Sequence, residues 1–173
     1  MTSTYYPICV RMAGAERFMV WVTNDRDGIL TGEDGLVLNT STLPGLFVMS
    51  RQCGLALLAA DTPCYDIDWL EAWLASPDAA IDCRQLLDLW NLFGDLAASV
   101  RGRRSDEFRE RDAAADNTYQ KLFWGNNLPA VTPPGERFVP EWSAAERAEL
   151  VHIMATGAQL MRAGLGAPWV RDA

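Results

Sequence analysis

Apolar and polar positions change their period along the chain. From Tyr5 to Met12 (YYPICVRM) and from Arg17 to Thr23 (RFMVWVT), β-branched and aromatic residues dominate, as in strands. Ala13-Gly14-Ala15-Glu16 between the two runs predicts a hairpin. Asn24-Asp25-Arg26-Asp27-Gly28 reads as a turn cluster, and Leu36-Val37-Leu38, after Asp34-Gly35, as a third strand. Ser41 or Thr42 is placed to cap a short helix over 43–53 that Gly54 stops. The run 55–60 (LALLAA) is too short for periodicity to choose between a buried strand and a continuation of that helix.

After Thr62-Pro63 the period becomes helical. Asp66 or Asp68 caps a helix over 69–74, which Ser76-Pro77 ends. Asp82 caps a longer one over 83–100. Its apolar positions are Leu86, Leu89/Trp90, Phe93, Leu96/Ala97 and Val100, while Arg84, Asp88, Asn91, Asp95 and Ser99 fall on the opposite, exposed face. The charged stretch 101–116 (RGRRSDEFRERDAAAD) has too few apolar positions to be more than a solvated loop or an exposed helix extension. Four prolines (Pro129, Pro133, Pro134, Pro140) with Gly125 and Gly135 exclude regular structure over 122–142. Phe123, Trp124, Phe138 and Trp142 are expected to pack that segment. Asn91 is expected to bond to it or to cap it. A capping box, Ser143-Ala-Ala-Glu146, opens the last helix, with Gly164 as its stop. A strand-rich 1–60 followed by a helical 61–173 reads as α+β: N-terminal antiparallel strands packed against C-terminal helices, in a single domain over 1–173.

Composition narrows the function. At 173 residues and 49% hydrophobic, the chain can build a core without disulfides or metal, and it has no apolar run long enough to span a bilayer. The start, Met1-Thr-Ser-Thr-Tyr-Tyr-Pro, carries neither a basic n-region nor an apolar h-region, so a cytoplasmic location is expected. The net charge of −8 is unevenly placed. Residues 61–100 hold eight Asp/Glu against Arg84 alone, a net of −7, while every other segment lies between −1 and +1. Such a chain is a poor ligand for nucleic acid and is repelled by anionic lipid. It suits a basic protein partner, unless the acidity serves solubility alone.

Most catalytic chemistry lacks its residues. The single histidine, His152, sits in the last helix between Val151 and Ile153, where a packed or half-exposed role is expected. Cys9, Cys53, Cys64 and Cys83 form no CxxC pair, so reduced, mostly buried thiols are expected, with no metal and no cofactor. The glycines make turns without a phosphate-cradling pattern, and no serine stands in a nucleophile elbow. Carboxylates are plentiful, but no catalytic pair can be chosen without geometry. The chain reads as non-enzymatic.

Tyr65-Asp-Ile-Asp68-Trp69-Leu-Glu-Ala-Trp73-Leu, then Ile81-Asp-Cys83 leading into Trp90-Asn91-Leu-Phe93-Gly-Asp95-Leu-Ala, resembles the middle of one group of bacterial immunity proteins. Tyr119-Gln-Lys-Leu-Phe123-Trp124-Gly125-Asn-Asn127-Leu-Pro129 and Glu141-Trp142 resemble the C-terminal half of the same group, so the likeness covers about residues 60–165. These proteins neutralise toxins of contact-dependent inhibition and related polymorphic-toxin systems. The resemblance implies a small cytoplasmic protein that binds a cognate, basic toxin domain, for example a nuclease. With Asp82 and one of Asp66 or Asp68 set aside as helix caps, the partner-binding candidates are Asp61, Glu71, Asp88 and Asp95. The loop residues Asp25, Asp27, Glu33 and Asp34 form the alternative surface. Two other classes stay open: a small-ligand-binding or oligomeric regulatory domain, and an enzyme working through carboxylates or a lone cysteine.

Overall fold

The computed structural model describes residues 3–58, 61–76 and 78–168. A two-residue turn sets its sheet. β1 (Thr4–Met12) and β2 (Ala15–Thr23) pair antiparallel, with Met12 opposite Ala15 and Tyr6 opposite Trp21. The turn residues Ala13 and Gly14 have φ of 53° and 70°, the double positive φ that a tight hairpin turn needs. Alanine is rarely found there, and Asp68 holds it in place. Its carboxylate accepts from the Ala13 amide at 2.6 Å and the Gly14 amide at 2.9 Å. Asp66 is the helix cap, accepting from the Trp69 amide at 2.9 Å.

β3 (Gly28–Ile29) and β4 (Asn39–Thr40) both pair antiparallel with β2, and β5 (Cys64–Asp66) adds to β1 in parallel, giving the order β3-β2-β1-β5. The expected strand at Leu36–Leu38 is displaced by three residues. The Gly32–Gly35 turn folds the segment back on itself, with the Gly32 amide on Leu36 O and the Leu38 amide on Leu30 O, and Val37 gives its amide to Gly164. Val37 makes only isolated bridges, and sheet pairing resumes at Asn39. Of the run 55–60, Leu57 makes one bridge to Tyr5, and residues 59 and 60 lie outside the described residues, as does Pro77.

The period-two alternation of the hairpin separates two cores. Phe18, Val20 and Val22 face α1 (Leu43–Gln52), where Leu46 and Met49 are buried; Thr42 caps this helix and Gly54 follows it at φ 73°. Ile8, Val10, Met19 and Trp21 face the larger core. There α4 (Arg103–Ala114), α5 (Asp116–Gly125) and α6 (Ala144–Gly164) gather around α3 (Cys83–Ser99), and α2 (Ile67–Leu74) packs on α6 and β1. The α3 stripe of Leu86, Trp90, Phe93 and Leu96 is buried. The fold is α+β. No described helix is long and apolar enough to cross a membrane.

Two charged or proline-rich stretches hold more helix than their composition suggests. Residues 103–114 form a full helix because Phe108 and Ser105 anchor it: Phe108 is buried, and the Ser105 hydroxyl donates to Ala97 O at 2.8 Å. Helix α5 carries regular structure through Gly125, into the segment expected to have none. Beyond it, aromatic packing secures only part of the loop. Phe123 and Trp142 lie against the core, whereas Trp124 and Phe138 are 45% and 44% exposed. Asn127 supplies the missing tie, accepting from the Phe138 amide at 2.6 Å and donating to Phe138 O at 2.9 Å.

Helix α6 crosses α3 at Gly157. A Cβ there would sit 2.0 Å from Cδ2 of Phe93, so only glycine lets the helices approach this closely. Gly157→Ala should cost about 1–3 kcal/mol by overpacking, against the roughly 1 kcal/mol that alanine's helix propensity would return. Thermal denaturation checks this: a variant at least as stable as the parent would contradict the crossing, and Phe93→Leu should relieve the clash.

Candidate functional site

A groove of about 820 Å³ opens between the helix-facing side of the sheet, α3 and the α4–α5 corner. The apolar stripe of α3 faces inward and turns its polar flank, Asp88, Asn91 and Asp95, towards this space. Tyr65 enters from β5, Trp21 from β2 and Asp27 from the turn after β2. Asp112, Asp116 and Tyr119 arrive from the other wall, where α4 hands over to α5. Five aspartates and four large aromatic rings therefore line one groove, and no Lys, Arg, His, Ser or Cys is among its lining residues.

The carboxylates are held in set positions. Trp21 donates its indole N–H to Asp95 Oδ2 at 3.0 Å, and Trp90 donates its own to Asp112 Oδ1 at 2.7 Å. Trp90 forms the floor, 1% exposed, with Tyr119 edge-on at 5.5 Å between ring centroids. The Tyr119 hydroxyl donates to Asn91 Oδ1 at 3.0 Å. Asn91 thus bonds to α5 and not to the loop that follows it.

Burial pushes the Asp95 carboxyl up to about 6; the Trp21 bond opposes that rise and neighbouring Asp27 adds to it. Burial also raises Asp88, although nearby Arg84 pulls it back. The Tyr65 and Tyr119 hydroxyls are raised by burial first and then by the surrounding aspartates. These shifts report burial first; neighbouring aspartates add to them at Asp95, Tyr65 and Tyr119, whereas at Asp88 the cation Arg84 opposes the rise. Perturbed carboxylates gathered in a cleft mark a functional site on physical grounds.

The aspartates are spread along the groove. Among the described residues, three metal-ligating groups come within 4.8 Å of one another only at Cys9, Glu16 and Cys64, away from the groove lining. Among the described residues, the groove's carboxylates therefore do not converge within that distance.

Of the candidate residues, Asp88 and Asp95 meet Asp27 of the alternative loop set in this groove. Asp95 is half-buried, not simply exposed, because its bond to Trp21 draws it against the sheet. The others are elsewhere. Glu71 pairs with Arg162 of α6. Asp34 accepts from the Leu36 amide at 3.0 Å and shapes its own turn. Asp25, Glu33 and Asp61 are exposed and do not line the groove. Asp112, Asp116 and the aromatic walls were hidden from sequence reasoning. His152 is exposed on α6 and plays no part in this site.

No family model and no curated protein matches the chain. Among solved structures, the C-terminal domain of SatS, in complex with bromine, is similar: TM-score 0.52 and 16% identity over 94% of this chain and 92% of that one. At that identity the likeness shows the fold alone.

Proposed function

We propose that the protein is a non-enzymatic, cytoplasmic immunity protein that receives a basic segment of its cognate toxin domain in the acidic aromatic groove. The observation that carries this reading is the lining itself: five aspartates, four aromatic rings and no cationic side chain among the residues that line about 820 Å³, with Arg84 outside the lining beside Asp88. The field would steer a basic partner to the groove and accelerate association, while the partly exposed rings of Trp21, Tyr65 and Tyr119 provide anchors for its arginines or lysines. The resemblance over about residues 60–165 supports a toxin as that partner. The dispersed carboxylates support binding over catalysis.

Association kinetics with a basic toxin domain, sought among the genes adjacent to this one, provide the test. Asp88→Arg combined with Asp95→Arg is expected to slow association at least about tenfold at low salt and to flatten its salt dependence, since steering contributes rate enhancements of that order and more. Asp25→Arg combined with Glu33→Arg should leave both nearly unchanged. The reverse pattern would move the site to the loops. A chain that binds no adjacent toxin but self-associates would favour an oligomeric regulatory domain instead.

A further inference from the structure

The sheet brings two of the four cysteines face to face. Cys9 of β1 and Cys64 of β5 are direct partners in the parallel register, and their sulfurs lie 2.6 Å apart. Neighbouring strands run about 4.8 Å apart, within the Cα separations that disulfides span. Cys9 is 3% exposed and sits in the middle of the hairpin, whereas Cys64 is open to solvent. Both thiols are free in this structure. Cys64 also opens onto a smaller cleft of about 300 Å³ between β5 and α3, which gives a small oxidant a route to it.

We propose that Cys9 and Cys64 form a reversible redox staple, closed by a peroxide, that locks β5 to the centre of the sheet. The accessible sulfur reacts first. The Cys64 thiol loses its proton, and the thiolate attacks one peroxide oxygen. The O–O bond breaks to leave Cys64 as a sulfenic acid, and the departing hydroxide takes up the proton as water. The Cys9 sulfur then attacks the Cys64 sulfur, the S–O bond breaks, and the leaving hydroxide takes the Cys9 proton as a second water. Two thiols are oxidised and one peroxide is reduced to two waters. Burial holds the Cys9 proton well above the ordinary thiol range, which keeps this sulfur from reacting with the oxidant directly; its proton leaves only as the S–S bond to the adjacent sulfenic acid forms.

A metal is the competing use of this cluster, since Glu16 completes a trio with the two sulfurs. Glu16 is already engaged by Arg11 at 2.9 Å, and Arg11 also reaches Asp66 at 3.4 Å. A cation there would face that guanidinium. The staple asks for neither Glu16 nor displacement of Arg11. It would fix the residue before Tyr65 and the residue after Ile8, both of which line the acidic groove, although its chemistry does not depend on what the groove binds.

The test uses the whole chain carrying Cys53→Ser, which removes the other exposed thiol. The reduced protein is treated with hydrogen peroxide, alkylated and mapped by mass spectrometry. The expected product joins the Cys9 and Cys64 peptides, two hydrogens lighter than their sum, with Cys83 alkylated. Its melting point should exceed that of the reduced chain and return on treatment with dithiothreitol. Cys64→Ser should abolish the link and leave Cys9 alkylatable. Over-oxidation of Cys64 to sulfinic or sulfonic acid while Cys9 stays a thiol would overturn the proposal. So would a link to Cys83 or to a second chain. Stoichiometric zinc that shields both thiols in untreated protein would overturn it as well, assigning the pair to a metal.

Discussion

Trp90→Ala is expected to destabilise the protein by about 3–5 kcal/mol, the range for emptying a large buried aromatic site. At this chain length that lowers the melting point by about 6–20 °C. The indole is 1% exposed in the middle of α3, meets Tyr119 edge-on, and spends its N–H on Asp112. Removing it opens a cavity between α3, α4 and α5 and frees Asp112 from its place in the groove wall. Trp90→Phe separates the two effects. It keeps most of the packing and deletes the donor, so it should cost about 1–2 kcal/mol, closer to a lost hydrogen bond than to a cavity. Urea denaturation of both variants checks this, and a Trp90→Ala chain as stable as the parent would refute the placement of the ring. Because the same ring is floor to the groove and core to the fold, Trp90→Ala is a poor probe of binding, and Trp90→Phe is the better one.

How much of this was legible depends on the distance over which the signal is written. The α3 stripe was readable because i, i+3, i+4 spacing is a local property that packing then confirms in every member from Leu86 to Leu96. The hairpin was readable for the same reason, although the two-residue turn at Ala13-Gly14 was not. The alanine at positive φ is held here by Asp68, 55 residues away, which accepts from its amide. Sequence alone left Asp66 and Asp68 as equal cap candidates, and tertiary contact gave them different tasks.

The groove was half visible. Asp88 and Asp95, seven residues apart, stand two turns apart on one flank of α3, which spacing does show. Asp112 and Asp116 were masked by arithmetic, since residues 101–121 sum to +1. Folding separates those charges in space. Arg104 bonds to Gln159 of α6, Arg109 to Ala97 O and Asp106, and Arg111 to Glu107, so these arginines are occupied elsewhere while the two aspartates line the groove. A segment's net charge averages over faces that the fold holds apart. Cys9 and Cys64 were invisible for a related reason. Spacing motifs search within a few residues, and this pair is made by strand register.

Asp95→Asn is expected to move stability and binding in opposite directions. In the folded chain Asp95 keeps its proton up to about pH 6, against 3.8 for an unperturbed carboxyl, chiefly because it is buried. Between those values the folded state binds more protons than the unfolded one, so stability falls as pH rises through the window. At pH 7 the ionised carboxylate is a net cost to the fold. Asparagine removes the charge and retains an oxygen to accept from Trp21. Allowing for solvent screening of this half-exposed group, the gain at pH 7 should be about 1 kcal/mol, a few degrees in melting point, fading as the pH drops towards 4. The same substitution takes one charge from the centre of the groove and should weaken capture of a basic partner, most of all at low salt. Melting curves across pH, set beside salt-dependent binding, measure both effects on one variant. If Asp95→Asn destabilises the chain at pH 7, the bond from Trp21 outweighs the burial of the charge and Asp95 serves the fold. If it stabilises the chain yet leaves binding untouched, the partner does not use the centre of the groove. A gain in stability joined to a loss of affinity leaves binding as the reason for an ionised carboxylate at this position, because the fold alone is better served by a neutral side chain.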